Sequence, residues 1–241
     1  MSLLNVFNLE KEEKDEVVTK LVQKSYPGSS FYIMIVLASL IAAMGLLIDN
    51  VAVVIGSMLI APLLYPIIFL GMSVVLYNFN IIKRTLLIIG KIIFLGVLIG
   101  FFSAILISPS IEISETGIFQ QSNILPLFYI AISSGLAASF AITKKQMEEF
   151  LPGVAVSIAL LPPLINIGVN LGLGRLILAI NSLQVFLINT FGIIFASIII
   201  FSLMGFVAEK KVAVKSIREE KISLAEGKPE MPKKEEKPNS S

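Results

Sequence analysis

Histidine and cysteine are both absent from the 241 residues. That removes imidazole proton relays, imidazole metal ligands, thiolates and disulfides together. The chemistry left belongs to Asp, Glu, Lys, Ser, Asn and backbone carbonyls. The side chains that stand out are polar ones set inside apolar chain: Ser57, Ser157, Asn166, Asn170, Gln184 and Asn189. A serine can bond its own helix, whereas a buried amide needs a partner, so Asn189 is the strongest of these signals. The same stretches carry Pro62 with Pro66, and Pro162 with Pro163. A proline removes a backbone donor and leaves the carbonyl four residues upstream without its bond. The acceptors exposed in this way lie near Met58 and Pro62 in one stretch, and near Ile158 and Ala159 in the other. Freed carbonyls, helix ends and hydroxyls can coordinate a cation or bond a polar solute, and half-helix N-termini favour anions. A proline kink that only shapes packing is the plain alternative for either stretch alone. No span contains an acid pair, HExxH or GxSxG, so nothing offers a nucleophile with a base. The expectation is no enzyme, no cofactor and no metal.

These residues need elements to hold them, and the composition says which. The chain is 56% hydrophobic and 15% charged, with a mean hydropathy of +0.89. Soluble domains of this size do not reach that value, and the reading is an all-α integral membrane protein. Its lipid partner follows, and nucleic acid is not expected. Six stretches are long enough to cross a core of ~30 Å: Phe31–Ile48, Val51–Tyr77, Leu86–Ile107, Ile124–Ile142, Leu151–Leu173 and Leu183–Val207. The second and fifth carry the prolines. Residues 1–28 read as a charged amphipathic surface helix rather than a cleavable signal. Residues 208–241 read as a charged tail that begins as a helical extension and becomes disordered from about 226. Lys and Arg gather at 11–24, 83–84, 144–145 and in the tail, while the 49–50 turn and the acidic 108–123 loop have none. This places both termini in the cytoplasm of a multi-pass protein of the cell membrane.

Because three is odd, a duplicated three-helix unit inverts its second copy in the bilayer. At an offset of 100, Val54, Ser57, Pro62, Leu64 and Ile67 meet Val154, Ser157, Pro162, Leu164 and Ile167. Asp49 meets Glu149 in the preceding turns, as entrance or gating acids or as plain turn residues. "LASLIAAMG" (37–45) and "ISSGLAASFA" (132–141) both place small residues on helical faces for close packing. The reading is two inverted three-helix repeats, 31–107 and 124–207, within a membrane domain of 29–207.

"IGSMLIAPLLYPI" (55–67) and "LPGVAVSIALLPPL" (151–164) resemble the signature segments of a prokaryotic hydrophobic-domain family, domain of unknown function three-eight-nine. The likeness covers about 31–206. It implies a membrane location and this topology, and names no substrate.

The resulting expectation is a transporter or channel for an ion or small polar solute. Its pathway would run past Ser57, Pro62, Pro66, Ser157, Pro162, Pro163, Asn166, Asn170 and Asn189, with Asp49 and Glu149 at its entrances. Six short helices make a thin bundle, so a homo-oligomer is expected. The alternative is a membrane scaffold or stress-response protein acting through its charged ends. A polar cavity bounded by Ser57, Ser157 and Asn166 would favour transport, and a dry, filled core there would favour the scaffold.

Overall fold

The computed structural model describes residues 9–26, 28–107 and 123–225. These residues are mostly helical, joined by short links. A first helix, α1 (Lys11–Ser25), opens where the Glu13 carboxylate accepts the Glu10 amide at 2.9 Å. The bundle then runs α2 (Ser29–Leu47), α3 (Val51–Ile60), α4 (Leu64–Val75) and α5 (Phe79–Ile107). After the 108–123 loop, which falls almost wholly outside the described residues, come α6 (Ile124–Thr143), a 3-10 turn (Lys145–Phe150), α7 (Leu151–Ile158), α8 (Leu161–Gly172) and α9 (Leu176–Leu203). A 3-10 turn at Phe206–Glu209 leads into α10 (Lys210–Ala225). The expected tail beyond 225 also lies outside them.

Among the described residues five helical segments are long and apolar enough to cross a membrane, one of them Lys145–Gly172, in which the 3-10 turn, α7 and α8 run together, or six when the bent pair α3–α4 counts as one span. Two of the expected spans start earlier than their hydropathy suggests. α5 begins at Phe79 and takes Lys83 and Arg84 into its first turns, and α9 begins at Leu176. A cation at the membrane edge can keep its charge in water while its stem covers apolar surface, so it need not end a helix.

Each broken segment is a helix that stops and a second that starts. α3 ends as the Ala61 amide bonds the Ser57 carbonyl at 3.2 Å, and α4 leaves at 53° to it. Pro62 lies in the link, while Pro66 is the third residue of α4. α7 ends at Ala159, a non-glycine residue with φ 46, and Pro162 and Pro163 are the second and third residues of α8. First-turn prolines cost a helix little, because their amides would have had no intrahelical acceptor. Pro66, Pro162 and Pro163 therefore sit in the first turns of new helices rather than kinking old ones.

Glycines set how closely these half-helices cross the long ones. A Cβ on Gly168 of α8 would collide with the Val97 carbonyl of α5 and lie 2.8 Å from the Phe101 amide nitrogen. One on Gly71 of α4 would lie 2.5 Å from Ser197 Cβ and 3.0 Å from the Ile194 carbonyl of α9. The backbones touch there, as small residues allow in lipid. Around these crossings a continuous core includes Ile68, Phe69, Ile92, Leu164, Phe186 and Ile193.

α1 caps one end of the bundle by burying Val17, Val18, Leu21 and Val22. Tyr26 packs edge-on against Phe69 of α4, with Arg84 of α5 over its ring. Burial holds the Tyr26 hydroxyl above the usual phenol range, with Arg84 opposing. Toward the 3-10 turn after α6 the contacts are charged. Lys20 pairs with Glu148, and Lys145 with Glu16 at 2.7 Å.

Candidate functional site

The best-built polar arrangement lies where α7 ends and α8 begins. The residues four positions before Pro162 and Pro163 are Ile158 and Ala159. Asn189, 3% exposed near the middle of α9, donates its side-chain amide to both carbonyls, at 2.8 and 3.3 Å. The amide thus satisfies two carbonyls that the end of α7 leaves without an intrahelical donor. Carbonyls left dry and unbonded at this depth would cost several kcal/mol, of order 2 or more each.

One turn further along α8, Asn166 donates to the Ser182 hydroxyl of α9 at 2.9 Å, and that hydroxyl donates to the Leu178 carbonyl. Asn170 donates back to the Asn166 carbonyl at 2.9 Å. Ser182 and Asn189 are seven residues apart on one buried face of α9, so the long helix presents both to the broken one. Thr190, beside Asn189, holds a buried hydroxyl with no bonding partner among the described residues. Across α6, Ser139 and Ser197 share a bond of 2.8 Å.

The two serines expected to correspond behave alike locally and differ in setting. Ser57 donates to the Val54 carbonyl at 2.6 Å and Ser157 to the Val154 carbonyl at 2.7 Å. Ser57 is buried, whereas Ser157 is exposed and reaches the Ser134 hydroxyl of α6 at 2.9 Å. Ser57, Ser157 and Asn166 thus find their hydrogen bonds in three separate places. Asp49 and Glu149 do not meet either. Asp49 is exposed at φ 52 in the turn where the Asn50 amide bonds the Gly45 carbonyl and Asn50 caps α3. Glu149 is exposed in the 3-10 turn, and its neighbour Glu148 is the acid that holds Lys20.

Residues outside the sequence reading also contribute. Ser182 was recoverable from its seven-residue spacing to Asn189. Glu209 is buried below α9, where burial first, and then the hydrogen bond and charge of Asp15, push its carboxyl above the usual range against Lys11 and Lys14. No sequence signal joins Asp15 to Glu209, since they meet only once α1 is docked. A cleft of about 380 Å³ lies between α1 and the 143–148 turn, lined by Glu13, Glu16, Lys20, Lys144, Lys145 and Glu148 among others. It belongs to the docked end of the bundle, away from the breaks. Among the described residues no three acids gather as a metal site would require.

The sequence model described as domain of unknown function (DUF389) matches residues 58–195. A protein of Methanocaldococcus jannaschii described as uncharacterized is 32% identical over 209 residues, which is 81% of this chain and 63% of that protein. The chain therefore spans a little under two thirds of that relative's length. No solved structure matches. The matched segment takes in both breaks, Asn166 and Asn189, and the chain belongs to the DUF389 family, domain of unknown function.

Proposed function

We propose that this protein is a membrane transporter or channel for an ion or small polar solute, with its site at the two broken helices. The observation that carries the reading is the pair of interruptions, α3–α4 and α7–α8, each preceded and followed by a long apolar helix. Interrupted helices in corresponding halves of a membrane protein mark the place where transporters hold their cargo. The breaks offer mainly acceptors. Pro162 and Pro163 strip two amides from the start of α8, so this end favours a cation or a donor-rich solute over an anion.

We read the two halves as inverted repeats. The helix lengths run 19, 10, 12, 29 and then 20, 8, 12, 28. The shared Ser57 and Ser157 bonds support an offset of 100 before the break. Beyond it an offset of 97 fits better, since it pairs Pro66 with Pro163 and Gly71 with Gly168. It also pairs the contacts, as Ile194 and Val97, which face the two glycines, are 97 apart as well. An odd number of spans per repeat inverts the second copy, and basic ends then put both termini in the cytoplasm. A homo-oligomer would give the thin bundle a wider frame. A scaffold would act instead through α10 and the tail, because α1 is engaged with the bundle.

Flux assays on the full chain in liposomes, run over a panel of monovalent cations, divalent cations and neutral solutes, test the proposal. Flux of at least one species is expected, reduced at least tenfold by Asn166→Leu with the protein still folded. No flux across the panel, or flux indifferent to Asn166→Leu and Ser157→Leu, would overturn it.

A further inference from the structure

Tyr77 joins α4 to α5 in the left-handed region, at φ 48. Bulky residues are genuine outliers there, with a cost of roughly 1–2 kcal/mol. The turn 97 residues later uses Gly174, at φ 71, so the geometry does not call for a ring. Nor does packing repay the strain, because Tyr77 is 79% exposed. Phe79, which opens α5, is 68% exposed. A strained aromatic turned outward at the edge of a membrane bundle points to something outside the chain.

Two cations bracket this turn. Lys210 Nζ, at the start of α10, donates to the Tyr77 carbonyl at 3.1 Å. Lys83 Nζ, one turn into α5, sits 5.2 Å from the Phe79 ring centroid. Among the described residues neither lysine is in an ion pair. Glu209, next to Lys210 in the chain, is buried and directed to Asp15, so it does not neutralise them. Leu203 and Val207 add exposed apolar surface at the end of α9.

We propose that the Tyr77–Phe79 turn, with Lys83 and Lys210, binds the headgroup of an anionic phospholipid. The phosphate lies between the two ammonium groups, the rings sit at headgroup level, and the acyl chains run along the exposed helix faces. A zwitterionic lipid would bring its own cation toward the two lysines, which sets the preference for net negative charge. Each lysine near a membrane surface contributes about fivefold to such a preference.

The full chain, reconstituted in an equimolar mixture of phosphatidylglycerol and phosphatidylcholine and released into detergent, is analysed by native mass spectrometry for retained lipid. Phosphatidylglycerol should be retained in excess. Lys83→Gln and Lys210→Gln should each cut that excess about fivefold, and Lys215→Gln, further along α10, should not. Tyr77→Gly should raise the thermal midpoint of lipid-free protein yet lower phosphatidylglycerol retention. A residue that served the turn alone would move only the first. Equal retention of the two lipids, an unchanged excess in both lysine variants, or an equal loss in Lys215→Gln overturns the proposal. So does inorganic phosphate that stabilises the lipid-free protein as strongly as phosphatidylglycerol does, since the site would then serve a soluble anion.

Discussion

The two broken segments solve one problem in different ways. At the second, α7 and α8 together still count as one candidate span, Lys145–Gly172, and the Asn189 amide bridges the gap in bonding. At the first, α3 and α4 diverge by 53°, and among the described residues no side chain donates to the Met58 or Pro62 carbonyl. The position 97 before Asn189 is Ile92, fully buried and apolar. A break that keeps its direction needs its orphan carbonyls satisfied in place, while a break that bends can turn them toward water. The second break is thus the pinned one and the first the open one. The half-helix crossings differ in the same sense, since Gly168 meets backbone atoms and Gly71 meets mainly Ser197.

The largest effect should come from the tighter crossing. Gly168→Ala forces α8 away from the Val97 carbonyl and should cost about 3 kcal/mol, against about 2 for Gly71→Ala, where the added methyl meets Ser197 Cβ and then the Ile194 carbonyl. Equilibrium unfolding in mixed micelles measures both, and equal costs would break the asymmetry.

Asn189→Leu comes next. Leucine fills nearly the same volume and leaves two buried carbonyls unbonded, for a loss of about 2 kcal/mol. Hydrogen bonds between membrane helices often give less, about 0.6 kcal/mol on average, so a loss that small would make Asn189 an ordinary bridge. Ile92→Asn sharpens the contrast from the other side. It should not raise the thermal midpoint, since the 53° bend at the first break removes the in-line geometry that one amide bridges at the second.

Much of this contrast was legible in the residues, and the reason for the rest is physical. Proline chemistry marked Ile158 and Ala159 as orphan acceptors, and burial cost marked Asn189 as needing a partner. That each was the other's answer depended on how α9 crosses α8, which no local pattern encodes. The helix breaks were visible as prolines, but their form was not. Pro66 and Pro163 start helices because the chain turns just before them, and the bend at Ala61–Leu63 follows from packing against α9. Lys83, Arg84 and the polar residues Asn181 and Gln184 hid the true starts of α5 and α9, since charge and amides at the membrane edge lower hydropathy without ending a helix. Asp49 and Glu149 match in sequence yet occupy unlike turns, one three residues long and one lengthened by a 3-10 segment.

A smaller effect tests the strain at the pinned break. Ala159 holds φ 46 only while its neighbours compel it, and glycine adopts that conformation freely. Ala159→Gly should stabilise the protein by about 0.5–1 kcal/mol, read as a raised thermal midpoint. The gain should disappear in the Asn189→Leu background if the amide is what enforces the turn. Additive effects would separate the two and leave the pin without its lever.

The smallest expected effect concerns how α1 grips the two halves. It meets the first half through Tyr26, Phe69 and Arg84, contacts in which no carboxylate takes part. It meets the second half through Lys20 with Glu148, Lys145 with Glu16, and the Asp15–Glu209 carboxyl pair. Burial, and then Asp15, hold the Glu209 carboxyl above its ordinary value of 4.5, so the folded protein keeps a proton that the unfolded chain releases. The stability tied to that proton is complete below the ordinary carboxylate range. It is lost as pH rises through the raised folded value, where two carboxylates must share one buried place with only Lys11 and Lys14 to offset them. Thermal midpoints across a pH series above 4.5 should therefore drift downward in the wild type and flatten in Glu209→Gln. The Tyr26→Phe variant should keep the wild-type slope. A slope that survives Glu209→Gln would place the pH sensitivity elsewhere and make the two grips of α1 equivalent.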